Sequence, residues 1–182
     1  VTWGKCKLAT ASFGHGINTN LLQLTKAYAI ISNGGNYIKP TLIKKKIHFN
    51  QKKIISEETS QKINSILRKI VLTGTAKLAN VEGYEIGGKT GTANKTINGT
   101  YTNKKINTFA SVFPTSNPKY VFTILFDEPQ INKDYIYEYR DGSEFKLKGA
   151  PRNTAGWTSV EVAGKIIDKI GPILATKYIK VN

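Results

Sequence analysis

The 182 residues suffice for one domain of ordinary size, and 40% of them are hydrophobic, so the chain can bury a sizeable core. Lys and Arg number 27 against 12 Asp and Glu, a formal charge of +15, while nine Tyr, seven Phe and two Trp exclude wholesale disorder. No apolar stretch approaches the roughly 18 residues that a membrane-spanning helix needs, and the single cysteine, Cys6, excludes an internal disulfide.

The first long helix is predicted after Thr19 or Asn20, either of which can act as its N-cap. Apolar side chains then recur at helical spacing, and the Ser-Asn-Gly-Gly sequence at residues 32–35 stops the pattern. The following segment, residues 37–55, is predicted to be a short strand pair, with Pro40 at an edge or in a turn.

A second helix is predicted after Ser56, which is a good N-cap, and Gly74 ends the helical pattern. Its apolar stripe is expected to face the core. The stripe consists of Ile63, Ile66, Leu67, Ile70 and Val71.

Strands dominate the next part of the chain. Residues 84–92, 107–113 and 120–127 are strand-like, and the last of these should be the most buried because it is almost continuously apolar. A tyrosine-rich hairpin is predicted within residues 131–148, and a final helix over residues 158–174. Strands that run together between helices predict an α+β fold, in which helices pack on an antiparallel sheet.

The positive charge invites comparison with nucleic-acid-binding proteins, but its composition argues against that class. Only Arg68, Arg140 and Arg152 are arginine, whereas base-edge and bidentate phosphate recognition favours the guanidinium group. The lysines accompany abundant Ile and Asn, as an AT-rich coding sequence would give.

The sharpest local motif is Gly-Gly-Lys-Thr-Gly-Thr-Ala at residues 87–93. Together with Gly83 it formally matches the phosphate-binding loop G-x-x-x-x-G-K-T. That loop opens a helix, whereas Gly91 would break a helix start and residues 94–103 are predicted to be a polar turn. We therefore interpret residues 87–93 as an extended strand beside a cleft, which offers an ammonium, two hydroxyls and main-chain N–H groups to a peptide.

This strand carries the K-T-G element of penicillin-interacting serine enzymes. Eleven short segments, spread over nearly the whole chain, stand in the order found in class B penicillin-binding proteins. The sequence resembles the C-terminal part of the transpeptidase domain of a division-type member, the septal peptidoglycan synthase. The segments are ATASFGHG (9–16), LQL (22–24), SNGG (32–35), KP (39–40), ISEE (55–58), TGT (73–75), GGKTGTA (87–93), FASVFP (109–114), NPKYV (117–121), DEP (127–129) and AGW (155–157).

The resemblance implies a partial serine β-lactamase/transpeptidase-like fold and a serine-type D,D-transpeptidase mechanism without cofactor or metal. A Ser attacks the penultimate D-Ala carbonyl of a stem peptide, releases the terminal D-Ala and passes the acyl group to an amine. In this mechanism Lys89 would supply positive potential, and Thr90 and Thr92 would hydrogen-bond the substrate carboxylate. Gly91 would allow close approach, and the Thr92 N–H would be one of two oxyanion donors.

The family also needs a Ser-x-x-Lys at a helix start and a Ser-x-Asn on a facing loop, both N-terminal to the matched segments. The formal Ser-x-x-Lys in this chain runs from Ser116 to Lys119, but Tyr120 begins a predicted strand, so Lys119 cannot lie one helical turn above Ser116. Met is also absent, even at position 1. We therefore expect residues 1–182 to be the C-terminal portion of the domain, without its nucleophile and inactive alone.

Four other residues suggest a function or depart from the family pattern. His15 lies in a glycine-flanked loop that the family places near the cleft floor, so it is a candidate substrate contact, the alternative being a ring that bonds only backbone. The adjacent Asp127 and Glu128 suggest a carboxylate pair or metal site, but neighbouring side chains at a strand end point in opposite directions, which favours a turn. No metal site is predicted. Glu161 stands where the family commonly has Pro.

The resemblance implies four kinds of partner: peptidoglycan stem peptides, β-lactams, division-complex membrane proteins and the missing N-terminal half of the domain, with no nucleic acid. It also implies a location at the periplasmic face of the inner membrane, with the anchor outside this chain. Two alternatives stay open, a non-catalytic remnant that acts as a binding module and a Lys-rich nucleic-acid-binding domain.

Overall fold

A three-stranded antiparallel sheet organises the computed structural model, which describes residues 4, 6–12, 14, 16–43 and 52–177. The α-helices are α1 (Lys7–Ala11), α2 (Leu21–Ser32), α3 (Glu57–Thr73) and α4 (Ser159–Thr176). The strands are β1 (Gly87–Ile97), β2 (Thr100–Phe113), β3 (Tyr120–Asp127), β4 (Ile136–Glu138) and β5 (Lys146–Lys148), and short 3₁₀ turns occur at Lys77–Ala79 and Ala155–Trp157.

The sheet separates two helical layers. β2 lies between β1 and β3 and is antiparallel to both. Because side chains alternate along a strand, Thr123 and Tyr120 of β3 point to opposite faces. Thr123 shares a hydrogen bond of 2.6 Å with Thr25 of α2, and the Tyr120 hydroxyl donates to the Leu174 carbonyl of α4 at 3.1 Å. One face is therefore covered by α2 and α3, and the other by α4.

The apolar core links these layers through β2 and the turns that precede β1. The buried cluster comprises Val71, Ala76, Leu78, Ala79, Val81, Ile86, Phe109, Phe113, Tyr137, Val160, Ala163 and Ile167.

Among the described residues, no helix has the length and apolarity needed to cross a membrane.

The predicted helix starts are confirmed by their caps. At α2 the Asn20 side chain accepts from the Gln23 N–H at 2.8 Å, and the Gln23 side chain accepts in return from the Asn20 N–H at 3.1 Å. At α3 the Ser56 hydroxyl accepts from the Thr59 N–H at 3.1 Å. These contacts, which are reciprocal at α2, satisfy N–H groups that have no partner within the helix.

The predicted core stripe of α3 is wrong at one position. Ile66 is 57% exposed, whereas Ser60 and Asn64 are buried. The Ser60 hydroxyl and the Asn64 amide donate to the carbonyls of Ile31 and Ser32. These carbonyls belong to the last turn of α2 and have no N–H donors within their own helix, so polar side chains are buried here to donate to them.

The strand pair predicted over residues 37–55 is only partly present. Asn36 and Lys53 form an isolated antiparallel bridge, flanked by a bond from the Tyr37 N–H to the Lys52 carbonyl at 2.9 Å. Residues 44–51 lie outside the described residues. Within the described part of this segment, pairing is limited to the base of the predicted hairpin.

The turn predicted over residues 94–103 is wrong, because β1 and β2 continue through most of it. The strands reverse at Asn98 and Gly99, both of which have positive φ, 51° and 77°. Asn-Gly with positive φ at both positions is the sequence preferred in two-residue hairpins, whose twist matches that of the strands. The segment is therefore polar because it forms an exposed hairpin.

The expectation that residues 120–127 are the most buried strand is also wrong. β3 is half-buried along most of its length, whereas β2 is buried almost continuously from Asn107 to Phe113. β2 is the more buried strand because it is central in the sheet, whereas β3 is an outer strand.

The tyrosine-rich hairpin is confirmed as β4 and β5. Tyr137 is buried and packs edge-on against Tyr135 and Trp157, with ring centroids 4.7 and 5.1 Å apart. Tyr139 stacks on Phe145. These rings join the hairpin to the turn that leads into α4.

A buried ion pair fixes the same hairpin to α4. The Arg140 guanidinium donates to both carboxylate oxygens of Glu161, at 3.0 and 2.6 Å, and also to the Leu78 carbonyl at 2.7 Å. The Tyr135 hydroxyl donates to the same carboxylate at 2.5 Å. Burial is the main reason that the pKa of Tyr135 lies well above its usual value, and the hydrogen bond to the Glu161 carboxylate raises this pKa further. The hydroxyl therefore remains a donor across the physiological pH range.

We expect Glu161→Gln to lower the free energy of unfolding by about 3 kcal/mol, because it leaves the Arg140 charge buried without its counter-ion. Urea denaturation followed by circular dichroism measures the effect. Glu58→Gln is the matched control, since the Glu58–Lys62 pair is exposed on both sides and should contribute less than about 0.5 kcal/mol. Equal destabilisation by the two substitutions would contradict this account of the buried pair.

Candidate functional site

Residues 87–93 form the first part of β1, an extended strand on the outer side of the sheet in the described part of the chain. Lys89 lies opposite Ala110 and Thr90 opposite Phe109 of β2. Lys89 therefore opens no helix, and the phosphate-binding-loop alternative is excluded. The predicted extended conformation is confirmed.

Alternation along β1 divides the motif between the two faces of the sheet. Lys89 and Gly91 lie on the face that α2 and α3 cover, and Thr90 and Thr92 lie on the face of α4. Lys89 is exposed, and its ammonium donates to the Thr90 carbonyl at 2.8 Å. The structure thus brings the two threonines together and directs the lysine side chain away from them.

Gly91 is required by close packing within the sheet itself. A Cβ at this position would lie 2.5 Å from the Thr108 hydroxyl of β2. That hydroxyl donates to the Gly91 carbonyl at 3.3 Å. The group that approaches Gly91 in this structure is therefore a neighbouring strand's side chain.

Thr90 and Thr92 line a cavity of about 430 Å³. The Thr90 hydroxyl shares a hydrogen bond of 2.9 Å with Thr75, and the Thr92 hydroxyl accepts from the Ala155 N–H at 3.0 Å. The walls come from the segment after α3, from β1, from Tyr139 and from the turn before α4. The lining residues are Gly74, Thr75, Lys77, Leu78, Thr90, Thr92, Tyr139, Pro151, Arg152, Thr154, Gly156 and Trp157.

A buried amide network holds the turn at 153–158 in place below the cavity. Asn107 of β2, fully buried, donates to the Asn153 side chain and to the Thr158 hydroxyl, each at 2.9 Å. Asn153 in turn donates to the Pro129 carbonyl at 2.7 Å. A Cβ on Gly156 would approach the Thr75 carbonyl to 2.8 Å, so only glycine lets the turn pack this closely.

Sequence reasoning missed the contribution of Thr75 and of the turn at 154–157 to this cavity. Both segments are among the matched motifs, as TGT (73–75) and AGW (155–157), but their composition does not indicate which residues they contact. The partners are distant in sequence, with Thr92 and Ala155 63 positions apart.

The other residues singled out from the sequence are elsewhere. His15 lies outside the described residues, so its predicted substrate contact stays a prediction. Ser116 lies in the turn between β2 and β3, where its hydroxyl and N–H bond the Glu85 carboxylate. Both hydrogen bonds lower the pKa of the Glu85 carboxyl, and the bond from the hydroxyl has the larger effect. Ser116 is therefore bonded to a carboxylate in a turn, not positioned at a helix start with a lysine above it.

A larger groove of about 930 Å³ lies between α3 and the Ser116 turn, and no residue of the predicted K-T-G site lines it. Asp127 and Glu128 also form no metal site. Lys95 donates to both carboxylates at 2.8 and 2.9 Å, and Lys104 lies 3.1 Å from Glu128. Among the described residues, no group of three potential metal ligands occurs.

Comparison with known proteins identifies the family. The penicillin binding protein transpeptidase domain matches residues 2–144. The chain belongs to the penicillin-binding protein transpeptidase family. Curated relatives of this chain include a probable peptidoglycan D,D-transpeptidase PenA of Neisseria flavescens, 34% identical over 73% of the chain. A probable peptidoglycan D,D-transpeptidase FtsI of Caulobacter vibrioides is 32% identical over 96% of the chain.

Solved structures of transpeptidases confirm the predicted fold. The transpeptidase domain of Burkholderia pseudomallei penicillin-binding protein 3 is 28% identical, with a TM-score of 0.74 over 94% of this chain and 47% of that one. Penicillin-binding protein 3 of Mycobacterium tuberculosis gives a TM-score of 0.70 at 27% identity, covering 93% of this chain and 39% of that one. This chain spans 34% and 29% of the length of the Neisseria and Caulobacter relatives.

We expect Thr92→Val to lower the free energy of unfolding by about 1 to 2 kcal/mol, since it leaves the N–H of the buried Ala155 without an acceptor. Thr92→Ser keeps the hydroxyl and should retain most of the stability. Thr90→Val removes a hydroxyl pair that water can replace, so it should cost less. Urea denaturation of the three variants tests the order, and an equal loss for Thr90→Val and Thr92→Val would contradict it.

Proposed function

We propose that this chain forms the K-T-G wall of the active site of a serine-type peptidoglycan D,D-transpeptidase that cross-links septal cell wall. The observation that carries the proposal is the position of the motif. In a chain of this family, Gly87 to Ala93 form an outer strand whose two threonines line a cavity. An outer strand keeps main-chain groups on one side without sheet partners, and an extended peptide can pair with them.

In the proposed reaction a serine hydroxyl attacks the penultimate D-Ala carbonyl of a stem peptide. The carbon–nitrogen bond to the terminal D-Ala breaks, the released amine takes up a proton, and an acyl-enzyme ester remains. The amine of a stem peptide on a neighbouring peptidoglycan strand then attacks the ester and frees the serine. β-Lactams would acylate the same serine.

Each residue of the motif has a proposed role in this reaction. The Lys89 ammonium, exposed and free of carboxylate partners among the described residues, supplies positive potential toward the substrate carboxylate. The hydroxyls of Thr90 and Thr92 hydrogen-bond that carboxylate, and the Thr92 N–H is an oxyanion donor. The loss of an oxyanion donor typically slows such reactions by about 10² to 10³. His15 is proposed as a further substrate contact.

The nucleophile is proposed to lie outside these 182 residues. Ser116 is held by Glu85 in a turn and has no lysine one helical turn above it, so it does not meet the requirement for an activated serine. The chain then needs the nucleophile-bearing half of the domain as a partner. Division-complex membrane proteins and a position at the periplasmic face of the inner membrane are proposed on the same resemblance.

We expect the 182-residue chain to bind acetyl-D-Ala-D-Ala reversibly, with amide shifts at residues 90–92 in NMR titrations. The terminal amide of the same dipeptide should bind more weakly because it lacks the carboxylate. Lys89→Gln should weaken binding of the acid by about two- to fivefold, because it removes a nearby positive charge but no direct hydrogen bond to the carboxylate. Lys133→Gln removes an exposed lysine outside the cavity and is the matched control. Equal binding of acid and amide would contradict the proposed carboxylate site.

A fluorescent penicillin should leave no covalent label on the 182-residue chain after denaturing electrophoresis, because Ser116, the serine of its formal Ser-x-x-Lys, is held in a turn by Glu85. A complete D,D-transpeptidase labelled in parallel is the positive control. A labelled band that disappears in Ser116→Ala would overturn the assignment of Ser116 to a structural turn.

A further inference from the structure

The chain contains two Asn-Gly sequences, and the structure places them in different environments. Asn33-Gly34 follows the last turn of α2, and Asn98-Gly99 forms the turn between β1 and β2. In Asn-Gly the backbone nitrogen of the glycine can attack the asparagine side chain, because glycine has no side chain to obstruct the approach. The two sites share this chemistry, so any difference in their reactivity comes from the fold.

The first site, Asn33-Gly34, is held by hydrogen bonds at both reacting groups. The Asn33 Nδ2 donates to the Asn36 carbonyl at 3.0 Å, and the Asn33 Oδ1 accepts from the Asn36 N–H at 2.8 Å. The Gly34 nitrogen would be the nucleophile, and its N–H donates to the hydroxyl of the buried Ser60 at 3.1 Å. These three hydrogen bonds must break before the side chain can rotate onto the nitrogen.

The second site, Asn98-Gly99, lacks such restraints. Both residues are exposed, and the Asn98 amide has no hydrogen-bond partner among the residues that the structure describes. The closing bond of a two-residue turn uses the N–H of the following residue, here Thr100, and leaves the Gly99 nitrogen unengaged. Asn98 must leave its left-handed conformation for attack, but at the end of an exposed hairpin this requires only local opening.

We propose that Asn98 is a site of non-enzymatic modification, where the asparagine is converted to an aspartyl or isoaspartyl residue while Asn33 stays intact. The deprotonated Gly99 nitrogen attacks the Asn98 Cγ, and the new N–Cγ bond closes a five-membered succinimide. The Cγ–Nδ2 bond breaks, and the departing nitrogen takes a proton from water and leaves as ammonia. Water then opens the ring at the side-chain carbonyl to give the aspartyl product, or at the main-chain carbonyl to give the isoaspartyl product.

The isoaspartyl product would alter the end of the hairpin and spare the K-T-G segment. It adds a methylene to the main chain of a two-residue turn, which is incompatible with the present pairing of Ile97 with Thr100. Lys95 lies between this turn and residues 87–93, and its ammonium binds the two carboxylates at the end of β3. This contact ties β1 to β3 below the turn, so the change should stay confined to residues 96–101.

The test is peptide mapping by mass spectrometry after incubation of the 182-residue chain at neutral and mildly alkaline pH. In the folded chain, conversion at Asn98 should exceed conversion at Asn33 by about tenfold or more, since attack needs a less costly opening there. In urea the two sites should react at similar rates. The rate should rise with pH because the nucleophile is the deprotonated nitrogen. Asn98→Gln is the control, since its longer side chain cannot close a five-membered ring.

A second variant tests why Asn33 is protected. Ser60→Ala removes the acceptor of the Gly34 N–H and should raise conversion at Asn33 severalfold, with conversion at Asn98 unchanged. Ser65→Ala removes an exposed hydroxyl from the same helix and should change neither rate.

Equal conversion at the two sites in the folded chain would overturn the proposal. So would an Asn98 that stays intact in the folded chain under conditions that convert it in urea. Conversion confined to Asn98, with NMR shifts limited to residues 96–101 in the converted chain, supports it.

Discussion

Alternation of side chains along β1 is the constraint on which the rest of the site depends. An extended strand must send successive side chains to opposite faces, so Lys89 cannot share a face with Thr90 and Thr92. The pairing of β1 with β2 fixes this division, since a slip of one residue would exchange the two faces. The cavity exists where it does because the threonine face of β1 meets Thr75 and the turn before α4.

Elements governed by local interactions could be predicted from the sequence. The starts of α2 and α3 follow from Asn20 and Ser56, whose side chains bond N–H groups three residues away. The extended conformation of residues 87–93 follows from Gly91, which disfavours a helix at that point. The hairpin at Asn98 and Gly99 was equally local, and its signal was present in the sequence. It was obscured by the polar composition of its flanks.

Burial was predicted less well because it depends on partners that are distant in the chain. The apolar composition of β3 predicted that it would be the most buried strand, but β2 is more buried because it is the central strand, and no local sequence pattern indicates the order of strands in the sheet. Ser60 and Asn64 are buried because α2 presents its last carbonyls to them. Glu161 is buried because Arg140 lies beside it. Ser60, Asn64 and Glu161 are buried against partners that lie far away in the sequence, and the identity of these partners appears only in three dimensions.

The contact between Thr92 and the Ala155 N–H has a consequence for the order of assembly. Its two partners are 63 positions apart, and the later one leads directly into the final helix. On the ribosome the threonine strand is synthesised well before the segment that closes the cavity over it. A nascent chain can therefore pair β1 with β2 early, but it completes the cavity beside Thr92 only when the turn before the last helix docks.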